Sequence, residues 1–465
     1  MHAPAAAEVF SSDYTVTVNG DAVFVHQARV SAQPINQVWP GYQRPLEQTE
    51  LAAFATWDMS GPVEVEVVST RPIRDVRIRP SSRGIQPARD GQTLRFTVDR
   101  PGPLTVEING LHQALHLFAN PPEVDAPDPE DPAVLYFGPG VHEPGIIRMT
   151  SGQTVYLAGG AVVYGAIVAE RAEAIVIRGR GILDGSKFNR GDVHALINTV
   201  GCNRVTVEGV ILRDPCGWTL VPVVSQQVQI RNVKLIGLWR YNADGLDFVN
   251  SQHCSVEDCF VRSYDDCIVF KGLQSWAGSA CNLEPVTDIR VRRCVLWNDW
   301  GRALEIGAET VAGEVSDLVF EDCDIIHCLD VAMEVQNGDR AHCHHLLFKD
   351  IRVELDDDQT RPAYQTQKGQ AYDQTERHLS QLIVLQTGGN MWSRDTIRGR
   401  VDDIRFKDIR VTAWAMPECY FAGLDAEHQV RDISIENLRI NGNRLRTAED
   451  GRFTLMPFVA GLSVR

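Results

Sequence analysis

An all-β fold, a β-sandwich followed by a parallel β-helix, is predicted by three observations. The first 120 residues break into short runs in which apolar and polar residues alternate. A proline- and acid-rich stretch, NPPEVDAPDPEDPAVL, follows at 120–135. Beyond it a single apolar pattern recurs eight times.

The N-terminal runs include YTVTVNGDAVFVHQARV, PVEVEVVST, VRIRP and TLRFTVDRPGPLTVEING. Period-two alternation broken by Gly, Pro and Asp is the pattern of an antiparallel sandwich with one face dry and one wet. The stretch at 120–135 has the composition of a linker or wrapped connection. The expected division is therefore a sandwich over 1–120, a linker over 121–135 and a helical solenoid over 136–465.

Writing O for an apolar residue or cysteine, the solenoid repeats O-x-O-x-x-O-x-O. It does so at Val205, Val207, Val210, Leu212 and again in copies that begin at Val228, Cys254, Ile289, Leu318, Leu346, Ile404 and Ile433. Successive copies start 23 to 35 residues apart, except for one gap of 58 that would hold two turns or a long insertion. Two inward residues, a bend and two more inward residues describe strand, corner, strand. A unit of this kind cannot cover its own apolar face, so the units must stack into ladders. Val207, Val256, Val291 and Phe320 are expected to point inward. The LxxLxLxxN signature of a leucine-rich horseshoe is missing, as is a four-strand propeller blade.

Composition narrows the partners. The chain carries 45 Lys and Arg against 61 Asp and Glu, a formal charge of −16, which repels phosphate backbones and disfavours nucleic acid. No stretch approaches the roughly 20 apolar residues of a membrane span, and the first ten residues lack a basic, apolar leader. A cytoplasmic location is expected for the chain as given, or a secreted one if a leader has been removed. Eleven cysteines without paired CxxC spacing read as buried free thiols. The run HCHH at 342–345 hints at metal, but its neighbours alternate in direction along a strand, so few could converge on one ion, and neither metal nor cofactor is expected. The solenoid sides leave room for a homo-oligomer.

Against this apolar background, YNADGLDFV at 241–249 and SYDDCIVFKG at 263–272 place Asp244, Asp247, Asp265 and Asp266 within two consecutive coils. Asp244 precedes Asp265 by 21 residues, about one coil, so these two are expected at equivalent corners, with Asp266 beside them. Carboxyls gathered in this way repel one another and raise the pKa of at least one. One protonated and one ionised carboxyl are what acid/base cleavage of a glycosidic bond requires. Asx turns or calcium would explain a lone aspartate more simply, but not a cluster. Trp218, Trp239, Tyr241, Trp276, Trp297 and Trp300 fall in the same region and offer flat faces for sugar rings.

The segments NADGLD at 242–247, DDCIVF at 265–270 and GRALEIG at 301–307, with GRGILDG at 179–185, resemble the consecutive motifs of glycoside hydrolase family 28, the polygalacturonases. The resemblance covers roughly 135–445. A sandwich ahead of the helix is more similar to family 49, the dextranases and isopullulanases, which belong to the same clan. The resemblance implies a right-handed parallel β-helix and an inverting hydrolase, with Asp265 as general acid and Asp244 and Asp266 holding the attacking water. It also implies a carbohydrate substrate. Asn242, Asp247, Lys271, Arg302, Glu305, Trp239, Tyr241, Trp300, Glu334 and Gln336, in or near these motifs, are expected to contact it.

Two departures bear on substrate. Arg302 stands where family 28 has the histidine of Gly-His-Gly, and Glu334 and Gln336 stand near where that family grips a uronate with Arg-Ile-Lys. With the net charge of −16, this points to a neutral oligo- or polysaccharide. The polar segment 356–400 is expected to wall one end of the groove. Rival readings are a β-helix lyase, an intramolecular glycosyl transferase of the fructotransferase kind, and a non-catalytic glycan-binding solenoid. The lyase lacks its uronate-binding pair, and the binding solenoid does not require the acid cluster.

Overall fold

The computed structural model describes residues 8–32, 46–356, 359–360 and 376–465, and the backbone alone at 36–37 and 363–364. Its N-terminal part is two five-stranded sheets packed face to face. One is antiparallel throughout, in the order Asp21–Val23, Tyr14–Val18, Val63–Ser69, Thr93–Val98, Ala88–Asp90. The other runs Val25–Ser31, Thr49–Asp58, Leu115–Asn120, Gly102–Ile108, Val76–Arg79 and contains one parallel pair, Thr49–Asp58 with Leu115–Asn120. That pair departs from the all-antiparallel expectation for a physical reason. Leu115–Asn120 is buried at every position, because its second face packs on the solenoid, and strands covered on both faces suit parallel pairing.

The solenoid begins at Val134–Phe137, and its strands stack in parallel as three ladders, which form a right-handed parallel β-helix. The first ladder is a twelve-stranded sheet that ends at Val459–Val464. Along it Val207, Ile230, Val256, Val291, Phe320, Phe348, Phe406 and Ile435 sit in register, all facing a dry interior. The rings of Phe320 and Phe348 stack at 4.5 Å, and those of Phe348 and Phe406 at 4.9 Å. These spacings follow the strand separation of about 4.8 Å, so an aromatic file costs no distortion of the coils.

The two-residue break in the repeat is the corner between the first and second ladders. Its second residue is left-handed, with φ between 52° and 57° at Asn232, Asp258, Asp322, Asp350, Asp408 and Asn437. Asn and Asp tolerate this conformation better than other residues with a side chain, which explains why the corner is written in those letters. The gap of 58 resolves as one coil with an insertion, because Leu346 pairs directly with Ile404 and Gln381–Thr387 continues the third ladder.

The ladders differ in what covers their outer faces. Outside the second ladder, Ile182, Ile211, Ile236, Phe260 and Trp297 pack on Ala28, Phe54 and Phe118 of the sandwich. Arg213 joins the two parts by binding both Asp184 and Glu8. The third ladder, through Ile197–Val200, Leu220–Val223, Leu246–Val249, Ile268–Gly272, Arg302–Thr310 and Val331–Asn337, carries polar residues outward beneath an open groove. No helix among the described residues is long and apolar enough to cross a membrane.

Phe320 is fully buried between two coils. Phe320→Ala should lower the free energy of unfolding by about 3 to 5 kcal/mol in urea denaturation, because the neighbouring rings are held by their own strands and cannot close the gap.

Candidate active site

The groove on the third ladder encloses about 2130 Å³ including its mouth, and three of the four clustered aspartates line it. Leu246 pairs with Ile268, so the residue alongside Asp244 is Asp266, whose carbonyl accepts from the neighbouring Gly245 N–H at 2.8 Å. This corrects the expected pairing of Asp244 with Asp265 by one residue. Asp265 instead lies beside Ala243, donating its N–H to that carbonyl at 3.2 Å.

The next coil brings Gly301 against both acids. A Cβ at Gly301 would lie 2.6 Å from Asp265 Oδ1 and 2.6 Å from Asp266 Oδ1, so only glycine leaves the two carboxyls room. Asn298 and Ser263 hold the Asp265 carbonyl at 2.7 and 2.6 Å, and the Arg302 N–H donates to Asp266 Oδ1 at 3.1 Å. The backbone that carries the pair is thus fixed from three sides.

Lys271 is the counter-ion. It is 4% exposed, and its Nζ lies 3.5 Å from Asp266, 3.5 Å from Glu309 and 4.0 Å from Asp244. Burial alone would discharge it, but the surrounding carboxylates, Glu309 and Asp266 foremost, hold its pKa well above the usual lysine value. Burial likewise drives Asp266 upward, yet Lys271 and Arg302 prevail and hold it below the ordinary aspartate range. Asp265 has weaker compensation: burial and then the Asp266 charge push it up to about 7. Asp244 and Glu305 are raised well above normal, first by burial and then by neighbouring acids. Adjacent carboxyls are therefore split, one that still holds a proton part of the time near pH 7 and one that is ionised.

Of the residues expected to touch substrate, Tyr241, Asn242, Lys271, Trp300, Arg302, Glu305 and Gln336 line the groove. Three do not. Asp247 is completely buried beneath the floor, next to Asp244, and burial raises its pKa well above the usual aspartate value. Glu334 lies behind Arg302, accepting from its Nε at 2.7 Å and from Gln386 at 3.0 Å. Trp239 turns toward the sandwich side, with its Nε1 on Asp214 at 3.0 Å and Arg29 over its ring. Trp297 is likewise part of the sandwich contact.

Sequence reading missed Arg190, His194 and Asp330, and also Met391, Trp392 and Arg394, all of which line the groove. Arg190 comes from a polar break in the apolar pattern and binds the Tyr241 carbonyl at 2.8 Å and Asn242 Oδ1 at 2.9 Å. Met391, Trp392 and Arg394 belong to the insertion, whose loop is anchored on buried Asp339 through the N–H groups of Arg394 and Asp395, both at 2.7 Å. The rest of the wall expected from 356–400 falls partly outside the described residues. No group of three metal-binding side chains is found among the described residues, and His342 and His344 face Asp402 and Glu314 on the first ladder.

Comparison with known proteins adds three findings. No family model matches the chain. A curated protein of Vitis vinifera, "Probable polygalacturonase", is 24% identical over 151 residues, which span 31% of this chain and 30% of that protein's length. Among solved structures, Dex49A from Penicillium minioluteum superposes with a TM-score of 0.64 at 16% identity, covering 98% of this chain and 95% of its own. The exopolygalacturonase from Thermotoga maritima gives a TM-score of 0.47 at 18% identity, covering 67% and 84%. The likeness to Dex49A extends over sandwich and solenoid together and establishes the shared fold.

Lys271→Met leaves Asp244, Asp266 and Glu309 without their shared cation. Loss of one partner from a buried ion cluster should cost about 3 to 5 kcal/mol at pH 8. The acids then take up protons more readily in the folded state than in the unfolded chain. The deficit should therefore shrink as pH falls toward 5, which urea denaturation at the two pH values would show.

Proposed function

We propose that the protein is a glycoside hydrolase that cleaves a neutral oligo- or polysaccharide by acid/base catalysis. The observation that carries this reading is the split between Asp265 and Asp266. Asp265, pushed up to about 7, keeps a proton for the leaving oxygen, while Asp266 stays ionised beside Lys271 and Arg302. Asp265 protonates the glycosidic oxygen as the bond breaks. Asp266, with Asp244 next to it, takes the proton of the water that attacks the anomeric carbon. Trp300, stacked on Tyr264, and Tyr241 supply flat surfaces for the rings.

The neutral substrate is supported by how the groove's cations are engaged. Arg302 meets Glu334 and Asp330, Arg394 meets Glu309, Lys271 meets three carboxylates and Arg190 is bound to Tyr241 and Asn242. At Lys271 or Arg302 a uronate would have to break such a pair to gain a partner, at the cost of leaving a buried acid exposed to repulsion. The name of the grapevine relative makes polygalacturonate the natural counter-substrate. Hydrolysis is expected on a panel of dextran, pullulan, inulin, galactan and arabinan, with no useful turnover of polygalacturonate. Efficient release of galacturonic acid would overturn the neutral-glycan reading.

Inversion is the first stereochemical reading, with water held on the Asp244 side. The close approach of Asp265 and Asp266 around Gly301 favours a second one, retention with Asp266 as nucleophile, since retaining pairs stand only about 5 to 5.5 Å apart. NMR of the first-formed anomer separates the two.

Asp265→Asn should abolish cleavage of substrates with poor leaving groups and spare activated aryl glycosides in part, whereas Asp266→Asn should impair both. Because the acid must be protonated, kcat should fall as pH rises through about 7 in the wild-type protein, and Asp265→Asn should lose that limb. Unchanged activity in both variants would place the chemistry elsewhere.

A further inference from the structure

Part of the groove wall is aromatic. The short hairpin Ser275–Trp276/Ser279–Ala280 leaves the end of the Ile268–Gly272 strand and reaches back along the solenoid axis. Its Trp276 donates from Nε1 to Asn198 Oδ1 at 3.1 Å, and Asn198 belongs to the Ile197–Val200 strand. The ladder runs from Ile268–Gly272 through Leu246–Val249 and Leu220–Val223 to Ile197–Val200, so the hairpin crosses three coil spacings, about 14 Å.

There the Trp276 ring stacks on Trp218 with centroids 4.7 Å apart and planes 10° from parallel, and the His194 ring lies 5.9 Å from that of Trp276, tilted by 54°. Trp218 also faces the Lys271 ammonium, 5.2 Å from its ring centre. Trp218 stands immediately before Leu220–Val223, one coil ahead of the strand that follows Asp244. The aromatic wall thus stands one coil spacing, about 4.8 Å along the axis, from the coil that carries Asp244. The hairpin is further braced by the insertion loop, since Gln274 Nε2 donates to the Arg394 carbonyl at 2.9 Å.

We infer that Trp218, Trp276 and His194 form a blind subsite for the terminal sugar of the glycan, so that the enzyme trims its substrate from a chain end. The inference rests on the glycosidase reading above and adds the mode of attack. A polymer cannot thread past the tryptophan pair, and only an end seated against it brings the terminal bond over Asp265. The ring face of the sugar meets an indole, and its hydroxyls meet the imidazole.

The test follows product sizes and viscosity together on dextran, pullulan, inulin, galactan and arabinan. The wild-type protein should release a single short product from the first minutes while the viscosity of the polymer holds. Trp276→Ala should raise KM for short oligosaccharides about tenfold and add products of mixed length. Trp276→Leu, which keeps bulk but loses the ring and its N–H, should raise KM without opening the groove to internal cuts, and thermal melting of both variants checks their folding. Mixed lengths and falling viscosity from the wild-type protein would overturn the blind subsite while leaving the hydrolase standing. End trimming with a KM unmoved in both variants would overturn the assignment to Trp276. Failure to cleave any of the five polymers or their oligosaccharides would overturn the hydrolase reading and this inference with it.

Discussion

Axial register is the constraint on which everything else rests. Each coil must place its inward residues directly above those of the coil below, because an apolar side chain displaced by one position would face water. The Val207 to Ile435 file satisfies this, and a left-handed corner residue, Asn or Asp in six of the eight repeats and Gly209 or Arg293 in the other two, keeps the coils turning at the same position. Once register is locked, outward residues are locked with it. Asp244 over Asp266, and Asp265 over Gly301, are therefore consequences of core packing, and the site is positioned with the rigidity of the core.

Burying so many carboxyls in one place is costly, and the molecule offsets the cost unevenly. One lysine serves Asp244, Asp266 and Glu309, while Arg302 serves Asp330 and Glu334. Had each acid its own cation, every carboxyl would be ionised and none could donate a proton. Around Asp265, burial and the Asp266 charge outweigh Arg302 and Lys271, and its pKa is pushed up to about 7.

The sequence discloses the ladders because their period is written in apolar letters, and it discloses the acid cluster because four aspartates interrupt an apolar run. What it withholds is side and height. Asp244 and Asp265 are 21 residues apart, yet the ladder offset is 22, and a difference of one residue is invisible without the pairing. Trp239 and Tyr241 are near neighbours in the chain, but a corner intervenes, so one meets the sandwich and the other the groove. Asp247 has the same letter as its neighbours and lies under the floor, since packing and not a motif decides depth. Met391, Trp392 and Arg394 are more than a hundred residues from the acids in the chain, and only the closing of the long coil returns them.

All eleven cysteines are free and buried, spread from Cys202 to Cys419 along the solenoid. Burial raises the thiol pKa at Cys254, Cys267 and Cys281 to about 12, about 12 and about 11, which leaves them nearly inert while the coils are closed. Each coil that carries a cysteine therefore reports its own opening, since alkylation marks only a thiol that has reached water. Mapping the order in which the eleven acquire a label would show from which end this solenoid frays, with no probe added to the chain.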